Sequence, residues 1–322
     1  MNAFTWIDRT GFAFASCNTQ DFWNSLDVYL DAVFHPRVRN DKFVLAQEGF
    51  HLKPKESMTN TTNLEDVELE YSGVVYSEMK GVYSNSDSLL YRRMRQHTFP
   101  DTGYTFDSGG DPKVIPTLTF EHFGEFYDKY YHPSNARTFV SGMDAETEVD
   151  FLSRVDEFYK EYEPAPEKRK ASVVKMQQKK FKEPFRKQYP YPVEDGKDMT
   201  HLIATNWLIN DVPMSSVDDL AWSVLNYLLV GTSSSILYKT LSESGLGTQV
   251  LDYGLENELV QMTFAIGVKG VEEGNVPKVE ELIMDTLQKI AKDGFEDDTI
   301  ESSLNFIEFQ VRFDLSHIFT RR

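Results

Sequence analysis

Seven histidines are the residues best suited to binding a transition metal: His35, His51, His97, His122, His132, His201 and His317. No two stand four apart, the spacing that puts two imidazoles on one helical face for zinc. His122-Phe123-Gly124-Glu125 begins like such a motif, but position 126 is Phe and the next histidine, His132, is ten residues beyond His122. His122 reads as a surface helix residue and His132 as a helix-end residue. A P-loop and a Gly-x-Ser-x-Gly elbow are both missing. Cys17 has no sequence sign of activation and reads as a small core residue. Ser108-Gly109-Gly110-Asp111 is too short and generic to argue for phosphate. Gly231-Thr232-Ser233-Ser234-Ser235 precedes a helix whose N-terminus could receive an anion, and an ordinary helix cap explains it as well.

Among the carboxylates Glu78 stands out. Val74, Val75, Met79 and Val82 make its surroundings largely apolar, so Glu78 is expected to be partly buried. A buried carboxylate needs a cation or hydrogen-bond donors. Taken alone, a glutamate of this kind is usually a surface residue.

These residues need elements to hold them. Residues 1–7 read as the inside of a strand, and 10–17 alternate large and small like a half-buried strand. Asp21 to Phe34 reads as a helix with a broad apolar face, stopped by His35-Pro36. The Thr- and Asn-rich run 55–66 reads as a loop. Helices are expected from about Tyr71 through Tyr83 and from Ser86 to His97, followed by a turn cluster at Asp107–Pro112. Thr119 is a good N-cap, with Glu121 near the positive helix end, for a helix striped by Phe120, Phe123, Tyr127 and Tyr130. Arg137–Ser141 reads as a returning strand. Residues 163–195 contain prolines and, between Lys168 and Lys187, nine Lys and Arg. They read as a solvated interdomain linker. Beyond it come a strand at His201–Trp207, helices at Val217–Val230 and Ser233–Ser244, and paired strands within Gln249–Lys269 broken at Glu256-Asn257-Glu258. A last pair of helices begins near Pro277, which Gly294 closes, and at Ile300.

The 322 residues suffice for one large or two medium domains, and 40% of them are apolar, with 23 Phe and 16 Tyr. The pattern is α+β, in two blocks with similar strand and helix alternation. No run approaches the roughly 18 uninterrupted apolar residues of a membrane span. Lys and Arg number 33 against 51 Asp and Glu, a net charge of −18. That excess argues against nucleic acid as a partner and is compatible with basic peptides. Cys17 is the only cysteine, so no internal disulfide is possible, and a reducing compartment is expected.

Several stretches together resemble the presequence protease branch of the pitrilysin-type zinc metallopeptidases, the inverted-motif zincins. They are Asn2-Ala3-Phe4-Thr5 with Asp8-Arg9-Thr10, Leu26–Phe34, Gly73-Val74-Val75-Tyr76-Ser77-Glu78-Met79-Lys80-Gly81, Asp107–Pro112, Tyr131–Arg137, Glu243–Gly247 and Lys278–Asp285. The resemblance runs in order over nearly the whole chain, and the second block is closest to plant and algal organellar members. It implies two related α/β-sandwich domains, both incomplete: 1–162 as the later part of the first, 163–195 as the basic linker and 196–322 as most of the second. It implies a metalloendopeptidase for short unfolded peptides, such as cleaved presequences, in the mitochondrial matrix or chloroplast stroma. One zinc per full-length enzyme is held by two histidines of a His-x-x-Glu-His helix and one distal glutamate, which Glu78 matches. Asn2, Ala3 and Phe4 match the edge strand on which the substrate peptide lies.

Here the sequence departs from the family. It has no His-x-x-Glu-His, whose helix belongs before Asn2, so no catalytic residue is assigned within the chain and tight zinc binding by it alone is not expected. The second half of the enzyme, its C-terminal partner, belongs after residue 322. Either Met1 is an internal methionine of a truncated gene, or the chain is a shortened, non-catalytic peptide-binding or structural relative. That both ends fall inside recognisable elements favours the first.

Overall fold

The computed structural model describes residues 2–55, 64–177, 181–193 and 200–319, with the backbone alone for 64 and 314–319. Most of the polar run expected as a loop at 55–66, and parts of the expected linker, lie outside these residues. In chain order the elements are β1 (Asn2–Thr5), β2 (Thr10–Ala13), α1 (Thr19–Phe34), α2 (Lys42–Glu48), β3 (His51–Pro54), β4 (Leu69–Ser72), α3 (Val74–Ser84), α4 (Ser86–Thr98), α5 (Phe120–Tyr130), α6 (Ala145–Tyr159), α7 (Pro166–Ser172), β5 (His201–Leu208), α8 (Ser216–Val230), α9 (Ile236–Glu243), β6 (Gln249–Glu256), β7 (Thr263–Val271), α10 (Val276–Asp293) and α11 (Asp297–Phe319). The fold class is α+β, as the sequence pattern implies. Among the described residues no helix is long and apolar enough to cross a membrane. The elements form two compact units, Met1–Ser84 with Phe106–Val174, and Asn85–Thr105 with Lys175–Arg322.

In the first unit β1 pairs antiparallel with β2, and β3 with β4, as two separate ladders. The N-cap of α1 is Asn18, whose side chain accepts from the Asp21 amide. Leu26 and Leu30 of α1 meet Phe151 and Val155 of α6 in a small core, rimmed by Phe14, Phe22, Phe34 and Val140. Burying each such side chain stabilises by about 1.5–3 kcal/mol. Thr119 caps α5 as expected, accepting from the His122 amide at 3.2 Å. The backbone amide and the Thr119 hydroxyl hold the Glu121 carboxyl below its usual range.

Three expectations fail here. The segment 69–72 is strand β4, and the helix starts only after Gly73, because Gly73 has φ +143°. A Cβ there would lie 2.4 Å from the Gly49 carbonyl oxygen, so only glycine lets β4 turn directly into α3. Arg137–Ser141 forms no ladder among the described residues, and Val140 instead packs against the α1/α6 core. Cys17 is exposed rather than in the core, because it sits in the bend between β2 and the cap of α1.

In the second unit β7 is the middle of a three-stranded antiparallel sheet, ordered β5-β7-β6. Period-two alternation divides its sides. Phe264, Ile266 and Val268 enter a core with Leu229, Leu237, Leu241, Val279 and Ile283 from α8, α9 and α10. The other face receives α4: Asn206 of β5 donates to Thr98 at 2.6 Å, and Tyr91 donates to Glu256 of β6 at 2.9 Å. A strand covered on both faces is buried on successive residues, as Thr263–Val268 are. Gly294, with φ +76°, closes α10.

Candidate functional site

The hairpin of β1 and β2 pairs Asn2 with Ala13, Ala3 with Phe12, Phe4 with Gly11 and Thr5 with Thr10. Just beyond the ladder the Trp6 amide donates to the Arg9 carbonyl at 2.9 Å. In an antiparallel ladder hydrogen-bonded and non-hydrogen-bonded pairs alternate. Trp6/Arg9 being bonded makes Phe4/Gly11 and Asn2/Ala13 the bonded class. The main-chain N–H and C=O of Ala3 and Thr5 therefore point to the other side of β1, where no strand pairs with it among the described residues.

The far end of the ladder is held by a side chain. The Tyr29 hydroxyl of α1 accepts from the Asn2 amide and donates to the Ala13 carbonyl at 2.7 Å. It thus ties the last pair of the ladder, Asn2 and Ala13, to α1. Tyr29 is buried and its ring packs on Phe14 at 4.9 Å. Tyr29 belongs to the apolar face expected of this helix, and the spacing of Leu26, Tyr29 and Leu30 places it on the buried stripe, but no local pattern shows its hydroxyl reaching the hairpin.

Asn2, Ala3 and Phe4 are thus brought together on one exposed strand. Glu78 lies on a different element, α3, and no hydrogen bond or ion pair joins it to β1 among the described residues. It is exposed, contrary to the expected partial burial. The turn of α3 explains this: Met79, one residue on, takes the inward position at 4% exposure. Tyr83, one turn later, reaches Asp107 at 3.4 Å. Glu78 shares the outer face with Val74 and Val75, which are also exposed. One carboxylate is a poor zinc site, since catalytic zinc takes about three protein ligands. Among the described residues no group of three or more His, Cys, Asp or Glu is placed to hold a metal.

Residues 117–306 match the family model described as the peptidase M16 inactive domain, and the chain belongs to that family. It is 45% identical over 323 aligned residues to presequence protease 1, chloroplastic/mitochondrial, of Arabidopsis thaliana, covering 100% of this chain and 29% of that protein. It is 39% identical to protein HypA of Clostridium perfringens, covering 97% of this chain and 31% of that one. A crystal structure of a peptidase M16 inactive domain from Pseudomonas fluorescens overlays with TM-score 0.48 at 13% identity, over 74% of this chain and 54% of that one. The chain spans about three tenths of the length of the curated relatives it matches.

Proposed function

We propose that this chain supplies the substrate-holding edge and one metal-ligand carboxylate of an M16 zinc metalloendopeptidase. Its substrates would be short unfolded peptides, among them cleaved targeting presequences, in a mitochondrion or plastid. On this reading residues 1–162 are the later part of the first metallopeptidase-like domain and 196–322 most of the second, joined by the linker at 163–195.

The open edge of β1 carries the proposal. An extended peptide added beside it would bond to the main-chain groups of Ala3 and Thr5, a recognition that ignores sequence and demands an unfolded chain. Glu78 would contribute one ligand to a zinc whose histidines lie outside this chain. The described residues do not make up that site themselves, so binding and orientation of the peptide are what this chain's own groups provide. The kinship with presequence proteases at 45% identity supports the substrate class.

A second reading is a non-catalytic peptide-binding or structural relative, favoured by the inactive-domain model that residues 117–306 match. Both readings share the edge strand, and Ala3→Pro tests it. Proline removes the outward N–H without touching the bonded pairs. Affinity for unrelated extended peptides should fall about tenfold, the worth of roughly one main-chain hydrogen bond. An unchanged affinity in a folded variant would sink the edge-strand reading. Metal analysis of the purified chain bears on zinc: less than stoichiometric zinc is expected, and tight one-to-one zinc would mean that the chain holds a full ligand set.

A further inference from the structure

The β1/β2 hairpin presents side chains as well as a main-chain edge. Phe4 and Trp6 are two residues apart and leave the same face of the hairpin. They are 43% and 40% exposed, with ring centroids 5.7 Å apart. Trp6 is nonetheless held in place. Its ring rests on Gly11, where a Cβ would come within 2.5 Å of Cζ3. The Arg9 guanidinium lies 5.0 Å from the indole centroid and is itself bonded to Asp8 at 3.1 Å. Gly11 stands opposite Phe4, so the indole fills the space over β2 that Phe4 would otherwise cover. The result is a fixed pair of exposed rings on one face of the hairpin whose free edge carries the outward main-chain groups, a surface that needs little ordering before it binds.

We propose that Trp6 is a specificity-determining residue for the peptide on β1: with Phe4 it selects peptides carrying two apolar or aromatic side chains spaced two residues apart. The inference rests on the reading of β1 as the peptide's edge. A strand added there brings alternate side chains to about 4.5–5.5 Å from the residues opposite, within reach of large rings. Ala3 and Thr5 set the register for any sequence, and the two rings distinguish one sequence from another. A peptide with adjacent aromatics sends one of them to the opposite face and gains only one contact.

The test is fluorescence anisotropy of three labelled peptides with the full 322-residue chain. All three share an Ala/Ser/Thr host; one has Phe at positions i and i+2, one at i and i+1, and one has none. The i, i+2 peptide should bind about tenfold more tightly than the i, i+1 peptide, as one added apolar contact allows. Trp6→Ala should bring that ratio close to one. Gly11→Val should do the same while keeping the indole, because the new side chain displaces it, and valine suits a strand. Trp6→Phe should keep most of the ratio and covers the case in which Trp6→Ala does not fold. Ala3→Pro should weaken all three peptides alike and leave the ratio intact. A ratio that survives both Trp6→Ala and Gly11→Val, or equal binding of the three peptides by the parent chain, overturns the role of Trp6 while leaving the edge strand standing. Insensitivity of every peptide to Ala3→Pro, or no binding of any peptide, overturns the edge strand and the role of Trp6 with it.

Discussion

Two β structures in this chain are built on opposite principles. In the β5-β7-β6 sheet, the middle strand is sealed: one face lies under α8, α9 and α10 and the other under α4, and Ile266 and Val271 have no exposed surface. In the β1/β2 hairpin every residue of β1 is exposed, and its far end is held by one tyrosine hydroxyl. A sealed strand is paired along both edges and contributes stability. An open strand with fixed side chains contributes little stability and keeps hydrogen-bonding groups in reserve. The difference separates what the fold needs from what a peptide could use.

The contrast is broken most sharply by paired truncations. Ile266→Ala should cost about 2–5 kcal/mol, for the lost burial and the cavity left behind. Phe4→Ala should stay within about 0.5 kcal/mol, as surface changes do. Denaturant unfolding of the two variants measures both, and a Phe4→Ala loss comparable to that of Ile266→Ala would show the hairpin to be structural.

A smaller effect sharpens the picture of the sealed sheet. Where α4 covers it, the rings of Tyr91 and Tyr253 lie 5.8 Å apart, tilted by 31°. Burial above all, with Glu256 adding to it, pushes the Tyr91 phenol up to about 12. Burial, with Asp87 and Tyr91 adding, pushes Tyr253 up to about 12 as well. Folding favours the neutral phenols, so their contribution is complete below the unfolded value of about 10 and is lost as pH rises from 10 towards 12. A phenolate absorbance titration should show these two tyrosines ionising late, together with alkaline unfolding. If all tyrosines titrate near 10 while the fold persists, α4 does not seal that face.

Much of this was legible in the chain. The helix at Thr19–Phe34, the Thr119 cap, the Pro277 and Gly294 bounds of α10 and the break between β6 and β7 follow from apolar period, capping residues and turn formers, all local signals. What was not legible depends on contacts distant in sequence. Nothing in Ser86–Thr98 tells which sheet that helix covers. The start of α3 is set by Gly73 lying against the Gly49 carbonyl, which no pattern around Tyr71 reveals. Glu78 and Met79 sit side by side in an apolar run, and only the packed partner decides which of them turns inward. The period-two relation of Phe4 and Trp6 was readable, but Gly11 as the seat of Trp6 required the register of the hairpin.

The finest test of the contrast concerns Tyr29. Its hydroxyl accepts a hydrogen bond from the Asn2 amide and donates one to the Ala13 carbonyl at 2.7 Å. Tyr29→Phe keeps the ring against Phe14 and deletes both hydrogen bonds that tie the end of the hairpin to α1. The cost should be about 1 kcal/mol, that of one buried hydrogen-bonding group. Global stability should hardly register it, because the hairpin opens without the rest of the chain. Hydrogen exchange should: amides of β1 and β2 should exchange about fivefold faster, the ratio that 1 kcal/mol gives when exchange follows local opening. Amides of β7 should keep their parent rates, since neither of the faces that bury them has changed. Acceleration of both sets by the same factor would mean that hairpin and sheet open together, and that the open edge is not an independent element available to a peptide while the core stays closed.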